Sequence, residues 1–265
     1  MRAFRLAYDG RPYSGFQRQP DVPTVEDALF DALRELDVES PPPGYAAAGR
    51  TDAGVSALAQ TVAFEAPDWL TPAALNGTLP GTVRAWASAD VAADFHATHD
   101  ATRRTYRYHL YAPNIDDERA RAALDRLAGE HDFHNLTTDD TGTVRRLDTD
   151  CHRDGDFLVV TISAGGFARH MVRRIVALVR AVGAGESGAD RIGRVLGPDP
   201  LDGAAGVATA SATPLLLADV TYPEVDFARN PDAAASARAV FAERRVDARV
   251  AARVTSDLTD GVQER

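Results

Sequence analysis

The chain contains no lysine, so all 29 of its cationic side chains are arginines. That removes the Walker type of phosphate loop, whose lysine reaches the terminal phosphates. A single cysteine, Cys151, can form neither an internal disulfide nor a cysteine metal cluster. A reducing, cytoplasmic setting fits it. No apolar run nears the ~20 residues of a membrane-crossing helix. Met1-Arg2-Ala3-Phe4 runs straight into a strand pattern, so a secretory leader is not expected. Positive charge is also in deficit. The net charge is −10, and aspartate outnumbers glutamate. Such a surface suits concentrated salt, although a GC-rich genome produces the same bias. Acidic chains are poor general candidates for nucleic-acid binding, which leaves only local arginine clusters for that task.

What the chain does have is one unusual turn. Tyr45 to Ala48 is an apolar run and Gln60 to Glu65 reads as a returning strand. Between them lies Gly49-Arg50-Thr51-Asp52-Ala53-Gly54-Val55-Ser56-Ala57. Its glycines permit sharp turns and close approach to a ligand. If Arg50 to Asp52 is extended, those two side chains point the same way. A guanidinium beside a carboxylate keeps it ionised and able to act as nucleophile or base. The same residues can equally do no more than close a loop.

The remaining pattern divides into two similar halves. The first is a strand at Phe4–Tyr8, a helix at Thr24–Leu36 capped by Thr24 and Asp27, the strands around the Asp52 turn, a helix at Thr71–Leu79 and a strand at Val83–Val91. The second is a strand at Thr102–Tyr111, a helix at Asp116–Ala128, a hairpin of Thr143–Arg153 with Phe157–Ser163, a helix at Phe167–Val182, a short helix near Asp190–Leu196 and a strand at Leu215–Tyr222. Each reads β-α-β-β-α-β, the split βαβ or ferredoxin-like pattern. The expected class is α+β. Two tandem ferredoxin-like halves, 1–97 and 98–225, share one mostly antiparallel sheet with helices packed on it and a central cleft. The segment 226–265 is an Ala/Arg-rich tail, expected to be helical toward Val254 and disordered over 255–265.

Two other stretches carry candidate residues. On the helix beginning at Phe167, Arg169, Arg173 and Arg180 lie within ~40° of one another on the wheel, beside the buried stripe of Met171, Ile175, Leu178, Val179 and Val182. Such an edge can grip phosphates, or be a solvated flank. Arg103-Arg104-Thr105-Tyr106-Arg107-Tyr108 alternates arginine and tyrosine, which can stack a base and hold its phosphates, or be an exposed sheet edge with ion pairs. Gly183 to Gly188 fits G-x-G-x-x-G but follows a helix, which argues against a dinucleotide site. His131 and His134 lack a third metal ligand. Cys151 and His152 face opposite ways on a strand and cannot act as a pair.

Gly49-Arg50-Thr51-Asp52-Ala53-Gly54-Val55, ending at Ala57, resembles the signature of the tRNA pseudouridine synthase A family. So do Tyr8-Asp9-Gly10 with Tyr13, Gly15 and Gln17, and Gly166-Phe167 with Arg169-His170-Met171-Val172-Arg173. The likeness runs from Phe4 to about Pro223. It implies an isomerase that converts uridine to pseudouridine at positions 38, 39 and 40 of tRNA, without cofactor or metal. It assigns Asp52 as nucleophile, Tyr106 as the ring stacked on the target base and Arg173 as partner of Asp52. Arg50 and Arg169 are then supporting or RNA-contacting residues. It also implies a homodimer acting on the tRNA anticodon arm, with no membrane. One position departs: the family usually has histidine where this chain has Ser56. A non-catalytic RNA-binding or RNA-chaperone protein on the same scaffold is the alternative.

Overall fold

The computed structural model describes residues 1–201 and 203–263. The first half contains β1 (Arg2–Tyr8), α1 (Val25–Glu35), β2 (Ala46–Ala47), β3 (Ser56–Phe64), α2 (Pro72–Asn76) and β4 (Val83–Asp90). The second contains β5 (Arg103–Tyr111), α3 (Asp117–Leu127), β6 (Gly129–Asp132), β7 (Val144–Asp154), β8 (Phe157–Ala164), α4 (Met171–Gly183), α5 (Asp190–Val195) and β9 (Leu215–Thr221). A two-residue β10 (Ala228–Arg229) and a long α6 (Pro231–Gln263) follow.

All ten strands form one sheet in the order β10-β4-β1-β3-β9-β5-β8-β7-β6, with β2 also on β3. The first half runs β4-β1-β3-β2, fourth strand, first, third, second, as in a ferredoxin-like unit, and the second runs β9-β5-β8-β7 in the same order with β6 added at the edge. Local chemistry explains the elements. Thr24 accepts from the Asp27 amide at the start of α1, and Asp27 answers the Thr24 hydroxyl. Leu29 and Leu33 then fall on the buried face of α1 and join Phe4, Leu6 and Phe64 of the sheet. In the second half, Ile175 and Val179 of α4 pack with Tyr108, Val160 and Ile162. The strands β6 and β10 extend the sheet at its two edges and were not expected from sequence.

The halves meet at β3 and β9, which pair in parallel at Ser56 with Leu216 and Ala57 with Leu217. The ladder stops there because β2 occupies the same side of β3 further on, at Ala46 with Ala63 and Ala47 with Val62. Two arginines fill the resulting split. From β1, Arg5 donates to the carbonyls of Ala59 and Val220 and to the Thr61 hydroxyl, at 3.1, 2.6 and 3.1 Å. Its guanidinium lies 4.3 Å from the centre of the Phe227 ring. From β5, Arg104 donates to the carbonyls of Ala48, Thr98, Ala101 and Gly165, all within 2.9 Å. The acceptors of Arg5 are buried, and such acceptors are costly to leave empty.

The tail departs from expectation. Ala233, Ala234 and Ala237 are buried, so the start of α6 is docked. The helix then continues through Gln263, where disorder was expected from 255 onward. Side chains one turn apart support it: Arg253 reaches Asp257 at 3.7 Å, and the hydroxyls of Thr255 and Thr259 donate to the carbonyls of Ala251 and Thr255. Glu264 and Arg265 lie outside the described residues.

Arg5→Ala leaves three acceptors at the seam without their donor and is expected to lose about 3–5 kcal/mol of unfolding free energy. Arg34→Ala, which removes an exposed pair with Asp31 on α1, is expected to lose under about 1 kcal/mol. Urea titration of both variants checks the contrast.

Candidate active site

The β2–β3 connection is folded onto the loop that follows β1. Asp52 opens a turn closed by the Val55 amide on the Asp52 carbonyl at 3.1 Å. The Phe16 amide donates to the Thr51 carbonyl and the Gly54 amide to the Tyr13 carbonyl. The Tyr8 and Thr51 hydroxyls bond at 2.8 Å. Two glycines make this closeness possible. A Cβ on Gly10 would stand 2.0 Å from the Val55 carbonyl oxygen, and one on Gly15, whose φ is +108°, 2.9 Å from that of Thr51. Ser56 has a task here: its hydroxyl accepts the Gly10 amide at 3.0 Å.

From the second half comes the connection between β8 and α4. The helix starts at Met171, four residues later than the apolar pattern suggests. His170 sits at its N-cap with φ +61°, a left-handed conformation that costs free energy for a non-glycine residue. The preceding backbone is held elsewhere. The Arg169 amide donates to Asp139 Oδ2 at 2.8 Å, and the Thr137 hydroxyl donates to the Arg169 carbonyl. Arg169 is therefore off the helix and exposed at the cleft, and Arg180 forks onto Glu186. The expected edge of three arginines does not form.

Arg173 does reach across. One terminal guanidinium nitrogen donates to Asp52 Oδ2 at 2.9 Å and its Nε to the Ala210 carbonyl at 2.8 Å. The guanidinium beside Asp52 thus comes from the other half and not from Arg50, because the two-residue alternation ends at the Asp52 turn. His170 Nε2 lies 3.6 Å from the same carboxylate oxygen. Sequence reasoning weighed His131 and His134 and passed over His170. Its position three residues before Arg173, at a helix start, was the available signal.

Tyr106 faces the same cleft and meets Phe167 edge-on at 5.2 Å between ring centres. Burial, with the Asp52 carboxylate adding to it, pushes its phenol up to about 12. Most of the rest of the Arg-Tyr strand is engaged within the protein. Arg103 pairs with Asp148, Arg104 is spent on four carbonyls, and Tyr108 is buried. An alternating strand sends only every second side chain to one face, and of those only Tyr106 reaches the cleft. The cleft measures about 890 Å³ and draws its walls from both halves, with Gln17, Arg50 and Arg169 among them. Asp52 retains 32% of its side-chain exposure and Arg173 17%, so the pair is reachable from solvent on the carboxylate's side.

The match to known proteins is extensive. A family model described as tRNA pseudouridine synthase matches residues 123–223. A tRNA pseudouridine synthase A of Haloarcula marismortui is 58% identical, over 99% of this chain and 100% of that one. One of Natronomonas pharaonis is 63% identical, over 95% and 97%. One of Methanothrix thermoacetophila is 40% identical, over 85% and 84%. The chain belongs to the tRNA pseudouridine synthase A family. It is thereby an isomerase. Its acidic, lysine-free composition fits the salt-adapted sources of the first two relatives. In this family member the signature loop carries Asp52, and the motif from Gly166 to Arg173 supplies the carboxylate's partners.

The loops can touch at Val55 only because residue 10 has no side chain. Gly10→Ala is expected to lower turnover at least ~100-fold by parting the Asp52 loop from the loop after β1. Steady-state kinetics, with circular dichroism to show a retained fold, test this.

Proposed function

We propose that this protein converts uridine to pseudouridine at positions 38, 39 and 40 in the anticodon arm of tRNA, with Asp52 as the nucleophile. The observation that carries this reading is the placement of Asp52 in a cleft between the halves, bonded to Arg173 of the other half and facing Tyr106. The reaction breaks the N-glycosidic bond, turns the uracil and joins its C5 to C1′ of the ribose. Every atom except the C5 hydrogen is kept, and that leaves as a proton while N1 gains one. The balance requires no cofactor.

Each side chain has a role that its surroundings support. Asp52 can stabilise positive charge at C1′, attack it, or remove the 2′ proton. Arg173 fixes the carboxylate's orientation through one bond to it and one to Ala210. Tyr106, a neutral phenol across the working range, stacks on the base and donates a hydrogen bond. A group that ionises only near 12 is a poor acceptor for the C5 proton, so the Asp52 carboxylate is better suited to take it. The target base has to leave its stack to reach this depth. Once in place it covers the exposed part of Asp52 and keeps water from the sugar cation. Arg50 at the cleft wall serves the RNA backbone, and Arg169 beside it does the same. The enzyme works as a cytoplasmic homodimer. A non-catalytic RNA-binding protein would leave the Asp52–Arg173 pair without a task.

Tritium release from tRNA carrying 5-tritiated uridine tests the activity, with pseudouridine mapped afterwards. The wild-type protein is expected to release tritium at the three positions and Asp52→Ala to release none. Absence of release by the wild type would refute the proposal. A second measurement concerns Tyr106. Because its folded pKa is raised, the phenol stays protonated until pH passes well above its ordinary value near ~10. Tyr106→Phe is therefore expected to lower kcat while leaving the shape of the pH–rate profile unchanged below about pH 10. An alkaline limb below about pH 10 that the wild type shows and the variant lacks would contradict this.

A further inference from the structure

The long C-terminal helix runs toward the catalytic end of the sheet and beyond it. At its start the Asn230 amide donates to the Trp86 carbonyl in β4. Further on, Val240 Cγ1 lies 3.7 Å from where a Gly81 Cβ would be. At Arg244 the guanidinium bonds Asp9 Oδ2 at 3.2 Å. Tyr8, just before Asp9, pairs with both Val83 at the start of β4 and Ala57 at the start of β3. That is the end of the sheet at which the Asp52 loop lies. From Arg244 to Gln263 the helix continues for about 28 Å at 1.5 Å per residue, with nearly every side chain exposed.

This projecting part is chemically unlike the rest of the molecule. In a chain of net charge −10, residues 244–253 carry four arginines against one aspartate. Arg245, Arg249 and Arg253 are exposed and recur every fourth residue, which places them in one row. Like charges so spaced weaken a helix, and Arg253 alone of the three has an acidic partner among the described residues, Asp257 at 3.7 Å. The anchor is itself prepared. The hydrogen bond from the Arg11 guanidinium holds the Asp9 carboxyl below the usual carboxylate range, so Asp9 is charged to receive Arg244.

We propose that the row Arg245, Arg249, Arg253 on α6 binds the phosphate backbone of the tRNA outside the cleft, beyond the arm that holds the target uridine. The proposal rests on tRNA being the substrate. Charge favours RNA over a second copy of the chain. The row turns by only about 80° from Arg245 to Arg253, so one strand of phosphates can follow it, and arginine forks grip phosphate oxygens two at a time. The neighbouring aliphatic row of Val246, Val250, Val254, Leu258 and Val262, each more than half exposed, winds about 160° round the helix at the same spacing. It gives no straight seam of the kind a coiled-coil partner needs.

The test compares wild-type protein, the triple variant Arg245→Ala/Arg249→Ala/Arg253→Ala and a chain ending at Arg244. Kd for a full tRNA transcript and for its isolated anticodon stem-loop is measured from about 0.1 to about 1 M KCl, together with turnover and mass in solution. For full tRNA, both variants are expected to bind about 10-fold more weakly at the lowest salt, with a log Kd against log salt slope shallower by up to about 3. The stem-loop Kd and kcat are expected to stay at wild-type values. Equal Kd and slope for full tRNA in wild type and both variants would overturn the proposal. So would a change in mass without a change in tRNA affinity, which assigns the helix to a second copy. If the wild type converts no tRNA, the functional reading has failed instead, and turnover separates the two failures.

Discussion

The cleft exists because a sheet that could have been continuous is joined at its centre by two residue pairs. β3 and β9 bond at Ser56–Leu216 and Ala57–Leu217 and then separate, since β2 has taken the rest of that edge of β3. The separation leaves carbonyls facing a gap, and buried carbonyls need donors. Arg5 and Arg104 provide them. Their bonds also fix where the two connections that line the cleft begin. Arg104 holds Ala48, one residue before the Asp52 loop, and Gly165, just before the loop that ends at His170. The distance from Asp52 to Arg173 is thus set by a residue that touches neither.

The Asp52–Arg173 pair then depends on how each connection is bent. On one side, glycines let the Asp52 loop lie against the loop after β1, and Ser56 secures the contact by accepting the Gly10 amide. On the other side, His170 holds a left-handed backbone that ends the loop and starts α4 with Met171. Strain of about 1–3 kcal/mol at such a residue persists only when its surroundings impose it. Here the surroundings are Asp139, which takes the Arg169 amide, and Thr137, which donates to the Arg169 carbonyl. The outcome puts the His170 ring and the Arg173 guanidinium on the same oxygen of Asp52, so the carboxylate's other oxygen is the one left for substrate.

Much of this was legible in the residues. The apolar stripe of α4, the cap at Thr24, the hairpin of Thr143–Arg153 with Phe157–Ser163 and the β-α-β-β-α-β order are all local signals, and the ferredoxin-like halves follow from them. The resemblance pointed to Asp52, Tyr106 and Arg173, which the structure brings together. What could not be read depends on distant partners. Gly129-Glu130-His131-Asp132 has no apolar alternation and becomes a strand because β7 offers it an edge. Phe167 fits the apolar period of α4, yet the pull of Asp139 on the Arg169 backbone unwinds that turn. Nothing near Arg104 in sequence announces that carbonyls of Ala48 and Gly165, from two distant segments, will join those of Thr98 and Ala101 around it.

The lack of lysine takes on a further meaning at the seam. Composition alone ties it to salt or to codon usage, both of which act over the whole surface. Arg5 and Arg104 are not surface residues in that sense. A guanidinium presents five donors in a fixed planar fork, where an ammonium presents three on one atom. Arg104 uses two nitrogens to reach four carbonyls, two apiece, and an ammonium at that site would have to crowd all four onto one nitrogen with three hydrogens. Burial also shields the Arg5 bonds from the screening that weakens exposed ion pairs as salt rises. A protein that works in concentrated salt can therefore keep its halves in register with arginines at the seam and leave its acidic exterior to solvation. Under that constraint exposed arginines, those at the cleft wall and along α6 among them, are the ones free to meet an anion.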